Sequence, residues 1–315
     1  MYLSGTAISR PGAAGLTGRM TTKTNNTTAN DMTAKPILVL GSTGKTGSRV
    51  AAQLRQRGHE VRGASRKGPV AFDWTDENTW ERTLEGVGAA YLVDSQLPDA
   101  AESMRSFGKL AVAFGVERLV LLSARDWVVP EGQEKLPCER AVRESGAQWT
   151  ILKPSWFFQN FSEDPFITGQ VQGGELVMST GGGVEPFIDA DDIAEVAVAA
   201  LTEEGHGGQA YELSGPRLLS LASVVDEIAR ATGRVITYRP LPAGEFAAHA
   251  VAQGVPEEFA GLLNLLYGWI AEGRFATLAD GVQRVLGREP RDFEAYVRTA
   301  AATGVWGGGG GVERP

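Results

Sequence analysis

Between Pro36 and Leu152, short apolar runs alternate with longer stretches in which apolar residues recur at helical spacing. The runs 37–40, 60–64, 70–72, 89–93, 118–122 and 149–152 read as strands, and the stretches near 45–57, 78–85, 99–114 and 135–145 as helices. Strands this apolar, separated by helices, predict a parallel sheet covered on both faces. From about Gln159 the pattern changes to shorter pieces. Strands are expected at 175–178 and 186–188, and a helix running to Leu201 behind the cap Asp189-Ala190-Asp191-Asp192. Further alternating or helical stretches follow at 211–213, 221–231, 235–238, 245–252, 259–271 and 276–286.

The first strand runs into Gly41-Ser42-Thr43-Gly44-Lys45-Thr46-Gly47 and then a helical pattern. Gly41 lets the chain leave the strand in a tight turn, Gly44 lets the backbone approach a pyrophosphate, and Gly47 lets the helix pack closely on the sheet. N–H groups at the helix start then face the anion. This G-x-x-G-x-x-G spacing is the form seen in short-chain dehydrogenases. The fold expected is therefore α/β, a Rossmann-type doubly wound parallel sheet with a smaller, mainly helical C-terminal substrate lobe. Its parts are a nucleotide-binding domain over 36–158 and a smaller lobe over 159–306 interleaved with the sheet. Residues 1–35 and 307–315 read as a disordered extension and a flexible tail.

Ligands of such sheets sit beyond the carboxyl ends of the strands. That rule selects Ser42, Thr43, Ser65, Arg66, Asp73, Trp74, Asp94, Ser95, Ser123, Pro154, Ser155 and Trp156, beside Lys45 and Thr46 of the glycine loop. No acid follows the second strand to take a ribose hydroxyl. Arg66, with Ser65, instead matches a 2′-phosphate, so NADP(H) is the expected cofactor. Asp73 suits either the adenine amino group or the cap of the next helix.

Composition narrows the partners. The formal charge of −8 and a pI near 5.1 argue against nucleic acid, and the chain has no apolar run long enough for a membrane span. One cysteine, Cys138, excludes an internal disulfide, and His59, His206 and His249 lack metal-ligand spacing, so no metal is expected. A cytoplasmic enzyme of a small-molecule substrate fits best, with its oligomeric state open.

The stretches Phe72-Asp73-Trp74-Thr75-Asp76-Glu77-Asn78-Thr79-Trp80, Leu152-Lys153-Pro154-Ser155-Trp156-Phe157-Phe158-Gln159-Asn160-Phe161 and Phe187-Ile188-Asp189-Ala190-Asp191-Asp192-Ile193-Ala194 resemble the NmrA-like atypical short-chain dehydrogenases. Within that family the likeness is to the ergot-alkaloid festuclavine and agroclavine dehydrogenases. The resemblance runs from about Pro36 to Trp306. It implies NADPH-linked reduction in some members and cofactor sensing without catalysis in others.

Active short-chain dehydrogenases use Tyr-x-x-x-Lys on the helix after the fifth strand. Here that register gives Glu131-Gly132-Gln133-Glu134-Lys135, anchored by Glu139: the lysine is kept and the tyrosine lost. Ser123 stands at the place of the strand-end serine. Lys135 then either holds the nicotinamide ribose or simply begins a surface helix. Hydride addition to a ketone creates an alkoxide that needs a proton, whereas addition to an iminium discharges a positive charge and needs none. A site without the tyrosine is thus expected to take an imine or iminium, held by carboxylates and aromatic faces. Asp94, Asp126 and Glu131 are the candidate carboxylates. Trp127, Trp156, Phe157 and Phe158 are the candidate rings. A quinone or carbonyl acceptor and a non-catalytic NADP(H) sensor are the alternatives.

Overall fold

Strand Ile37–Leu40 (β1) shows how the sheet is made. Ile37 and Val39 enter one core and Leu38 and Leu40 the other, because successive side chains of a strand point to opposite faces. The computed structural model describes residues 35–125 and 136–307. All but one residue of each expected tail, 1–34 and 308–315, and the candidates Asp126, Trp127, Glu131 and Lys135, lie outside the described residues.

After β1 come α1 (Lys45–Gln56), β2 (Val61–Ser65), β3 (Val70–Ala71), α2 (Glu81–Leu84), β4 (Ala89–Val93), α3 (Ala100–Ala113), β5 (Arg118–Leu122), α4 (Pro137–Arg143) and β6 (Gln148–Pro154). The chain continues through α5 (Asn160–Glu163), α6 (Pro165–Gly173), β7 (Glu175–Met178), β8 (Val184–Glu185), α7 (Ala190–Thr202), β9 (Gln209–Leu213), β10 (Leu219–Ser220) and α8 (Leu221–Thr232). It ends with β11 (Thr237–Pro240), α9 (Ala243–Ala252), α10 (Glu257–Ala271), α11 (Gly281–Leu286) and α12 (Phe293–Ala302).

Seven strands form one parallel sheet in the order β3-β2-β1-β4-β5-β6-β9. The strand order reverses at β1, which opens the crevice where Rossmann-type folds bind dinucleotides. One face is covered by α1, α7 and α11 around Val50, Leu54, Ile193 and Val282. The other is covered by α2, α3 and α4 around Leu84, Phe107 and Val142. A third core, centred on Phe158, Phe161, Phe246, Tyr267, Phe293 and Trp306, holds the later elements. Among the described residues no helix is long and apolar enough to cross a membrane.

Several expected elements differ from the observed ones. The stretch 211–213 belongs to β9 at the edge of the main sheet, where Tyr211 and Leu213 point into its core. The expected helix 78–85 is split, because the Trp80 indole donates to the Asp73 carbonyl at 3.0 Å and fixes a break between a 3₁₀ turn and α2. The expected strand 186–188 begins earlier, at Val184, and only Ile188 bridges to Phe157. The expected helix 276–286 starts only at Gly281, since the preceding segment bonds to distant partners: Phe275 and Thr277 accept from Arg125, and Ala279 N–H donates to Ser214. Helix α12 escaped the pattern, although Asp292 marks its start by capping the Glu294 N–H.

Candidate active site

Beyond β1 the backbone turns at Gly41 (φ +65°), and Gly44 N–H bonds back to the Gly41 carbonyl at 2.8 Å. A Cβ on Gly47 would lie 2.2 Å from that carbonyl oxygen, so α1 touches the turn here and only glycine fits. Helix α1 starts at Gly44 with no side-chain cap and no acid in its first turn. Helix α7 is the contrast. Asp189 caps it, accepting from Asp191 N–H at 2.9 Å, and Asp191 and Asp192 occupy its first turn. An uncapped N-terminus beside a glycine turn leaves donors and positive dipole for an outside anion, so these residues fit the pyrophosphate of a dinucleotide.

The acids of α7 meet protein partners. Asp192 is fully buried and paired with Arg288 and Arg291, while Asp189 also accepts from Gln159 at 2.8 Å.

Around the loop, Thr43 donates to Ser65 at 3.3 Å. Arg66, just past β2, is exposed and makes no hydrogen bond among the described residues. The Thr75 N–H and hydroxyl hold the Asp73 carboxyl below its ordinary range, with Arg66 adding to the effect. Asp73 thus folds back on Thr75, and the following 3₁₀ turn is capped by Asp76. Trp74 packs edge-on against Phe72 and Phe107 and donates its indole N–H to the Val93 carbonyl at 3.1 Å. Thr46 is buried and accepts from the Tyr91 hydroxyl at 3.0 Å. Lys45 reaches away from the loop to Asn160, 2.9 Å, and burial pushes its ammonium pKa down against the pull of Asp164 and Glu163.

Past β4, burial pushes the Asp94 carboxyl up, opposed by the Gln96 N–H; the Ser95 hydroxyl accepts from Leu97 N–H. Ser123 donates to the buried Glu139 at 2.8 Å, and Glu139 in turn meets Arg143 at 2.9 Å and Lys153 at 3.8 Å. Ser155 is buried and donates to the Pro186 carbonyl at 2.5 Å.

Beyond the ends of β5 and β6 lies a cavity of about 320 Å³. Of the residues singled out in the sequence, Ser123, Pro154, Ser155, Trp156 and Phe157 stand on its wall. Phe158 does not: its ring is 1% exposed and packs 5.0 Å from Phe293 and 5.4 Å from Tyr296. The expectation of Phe158 in a substrate pocket is corrected to a core role.

The wall also holds residues from elements far apart in the chain. Trp269 and Leu266 come from α10, Phe275 from the segment after it, Arg125 from beyond β5 and Glu185 from β8. Arg125 ties these pieces together, donating to the Phe275 carbonyl at 2.9 Å and Thr277 at 2.8 Å. The available signal for Glu185 was a lone acid inside the apolar stretch Val184 to Ile188.

A family model described as NAD(P)H-binding matches residues 41–204. The chain belongs to that family. Festuclavine synthase II of Penicillium roqueforti is 36% identical over 82% of this chain and 96% of its own length. The uncharacterized oxidoreductase YesF of Bacillus subtilis is 36% identical over 87% and 99%, and the NAD(P)H azoreductase of Xenophilus azovorans 31% over 84% and 98%. Among solved structures, the NADPH complex of the quinone oxidoreductase QOR2 of Escherichia coli superposes with a TM-score of 0.72 at 22% identity, over 84% of this chain and 99% of that one. The negative transcriptional regulator NmrA, solved with NAD, gives 0.64 at 18%, over 84% and 95%. The fold is the NmrA-like one, and the chain is an NAD(P)H-dependent oxidoreductase.

Proposed function

We propose that this enzyme is an NADPH-dependent reductase whose acceptor is an imine or iminium of small or medium size. The observation that carries the reading is the cavity beyond β5 and β6, walled by Trp156, Phe157, Trp269 and Phe275 and free of tyrosine among the described residues. Aromatic faces favour a flat cationic guest. A cavity of this size and lining also supports a reductase over a sensor, which needs no room for an acceptor.

When bound, NADPH supplies hydride from its nicotinamide ring. The N-terminus of α1 would hold its pyrophosphate, Arg66 and Ser65 its 2′-phosphate, and Lys135 the nicotinamide ribose. Lys45 is engaged with Asn160 on the cavity wall and so joins the phosphate end to the acceptor end. The Ser123–Glu139 bond fixes one side of the cavity, and the Arg125 contacts fix the other. These residues orient the acceptor and limit water.

The relative named as an azoreductase supports a nitrogen-containing acceptor. The test is NADPH and NADH oxidation by the purified chain against cyclic iminium ions, imines, quinones and carbonyls. Turnover of iminium or imine substrates with NADPH preferred is expected. Turnover confined to quinones or carbonyls rejects the acceptor, and equal use of both nucleotides rejects the Arg66 assignment.

A further inference from the structure

Glu185 is a carboxyl in the wall of the acceptor cavity, and it is 1% exposed. It reaches this position because β8 runs unusually close to α10: a Cβ on Gly183 would lie 2.1 Å from the Ile270 carbonyl oxygen. Pairing with Leu219 of β10 fixes its register. Its carboxyl accepts the Trp156 backbone N–H, while Oε2 is buried without a hydrogen-bond partner among the described residues. A buried polar atom left unpaired is costly, so a structure that keeps one beside a cavity has a use for it.

We propose that Glu185 is the proton donor for neutral acceptors in this cavity, an inference that rests on the reductase reading above. The carbon of a C=N or C=O group gains hydride, two electrons, from NADPH. Its nitrogen or oxygen gains the carboxyl proton as the Glu185 O–H bond breaks. An amine or alcohol, NADP⁺ and the Glu185 carboxylate result, and solvent then returns a proton to the carboxylate. A permanently charged iminium needs hydride alone.

The surroundings keep such an acid protonated near neutrality. Burial pushes the Glu185 carboxyl up to about 7, against the opposite pull of Arg125 and the Trp156 N–H. Arg125 is the charged group facing it, and its guanidinium is shared with Phe275, Thr277 and Glu212. The pairing strand β10 brings Leu219 and Ser220, which carry no charge. Helix α10 brings Leu266 and Trp269 to the cavity and holds the buried phenol of Tyr267; its acids Glu257 and Glu258 are in the first turn, at the end away from Ile270.

The test compares the unmutated chain with Glu185→Gln, which keeps the side-chain shape and an acceptor for Trp156. With a neutral imine or quinone, kcat should fall at least about 100-fold in Glu185→Gln. The unmutated rate should fall as pH rises through about 7, and the variant should lack that fall. With an N-alkylated iminium the two proteins should differ less than about threefold, since no proton is transferred.

An independent readout needs neither nucleotide nor turnover. Infrared difference spectra of the nucleotide-free chain should show a protonated-carboxyl band that titrates near pH 7 and is missing from Glu185→Gln. Quinoline, a flat neutral nitrogen base, should shift or remove that band. A band absent from the unmutated chain, or one untouched by saturating quinoline, overturns the proposal. Neutral acceptors turned over equally by both proteins overturn it too, and leave the reductase reading standing. If no acceptor of any class is reduced while the quinoline response holds, the reductase reading fails and Glu185 remains the acid of the cavity.

Discussion

The strand, turn and helix proposed to hold the nucleotide all lie between Ile37 and Val50, whereas the proposed acceptor cavity draws its wall from separate segments between Gln96 and Phe275. The first end works through backbone: a positive φ at Gly41, a close approach at Gly47 and uncapped N–H groups of α1. The second works through side chains, brought together by Arg125, by the near-contact of Gly183 with α10 and by the extended segment before α11. A site built on backbone tolerates little change in chain geometry and much in side chains. A site built on distant side chains is the reverse.

The largest expected effect tests that contrast within one loop. Gly47→Ala sets a methyl group 2.2 Å from the Gly41 oxygen, with no flexible side chain to yield, and should destabilise the fold by about 4 kcal/mol or more. Urea unfolding of the variant decides it, and unchanged stability would mean that α1 does not seat on the turn. Gly44 differs, because it is exposed and its nearest neighbour to an added Cβ is 3.3 Å away. Gly44→Val should remove affinity for both nucleotides at least about 100-fold, roughly 2.7 kcal/mol, while the melting temperature stays near that of the unmutated chain. Retained nucleotide affinity in the folded variant would reduce the loop to a structural turn.

At the acceptor end, Glu185→Gln should stabilise the protein. The Glu185 pKa is raised from 4.5 to about 7 on folding, so the native state binds the extra proton and stability falls as pH rises from about 4.5 to about 7. Above that window the loss is about 3 kcal/mol, and the amide escapes it. Urea melts at pH 5 and pH 8 should therefore show the variant gaining mainly at the higher pH. An equal difference at both would place the carboxyl in ordinary solvent. The smallest effect is Arg66→Ala, which removes one charge-assisted contact and should weaken NADPH by about 2 kcal/mol with NADH nearly unaffected. Calorimetric titration of both nucleotides checks it, and parallel losses would remove Arg66 from the 2′-phosphate.

The same division separates the legible from the illegible parts of the chain. The glycine loop and strands β1 to β6 could be read directly, since each depends on residues close in sequence and on a period that burial imposes. The rule for strand ends selects Trp156, which stands on the cavity wall, as does the candidate ring Phe157. Phe158 does not, because its neighbours Phe293 and Tyr296 arrive from a helix near the other end of the chain.

The sequence by itself determined the parallel sheet, its helical cover and the glycine turn after the first strand, all of them consequences of local pattern or residue identity. Only the tertiary structure decided that β9 completes the main sheet and that Glu185 faces the cavity beyond β5 and β6, with one oxygen unpaired among the described residues. The physical reason is the same in each case. Local pattern says which face of an element is buried, but the partner that buries it is chosen by packing between residues far apart in the chain.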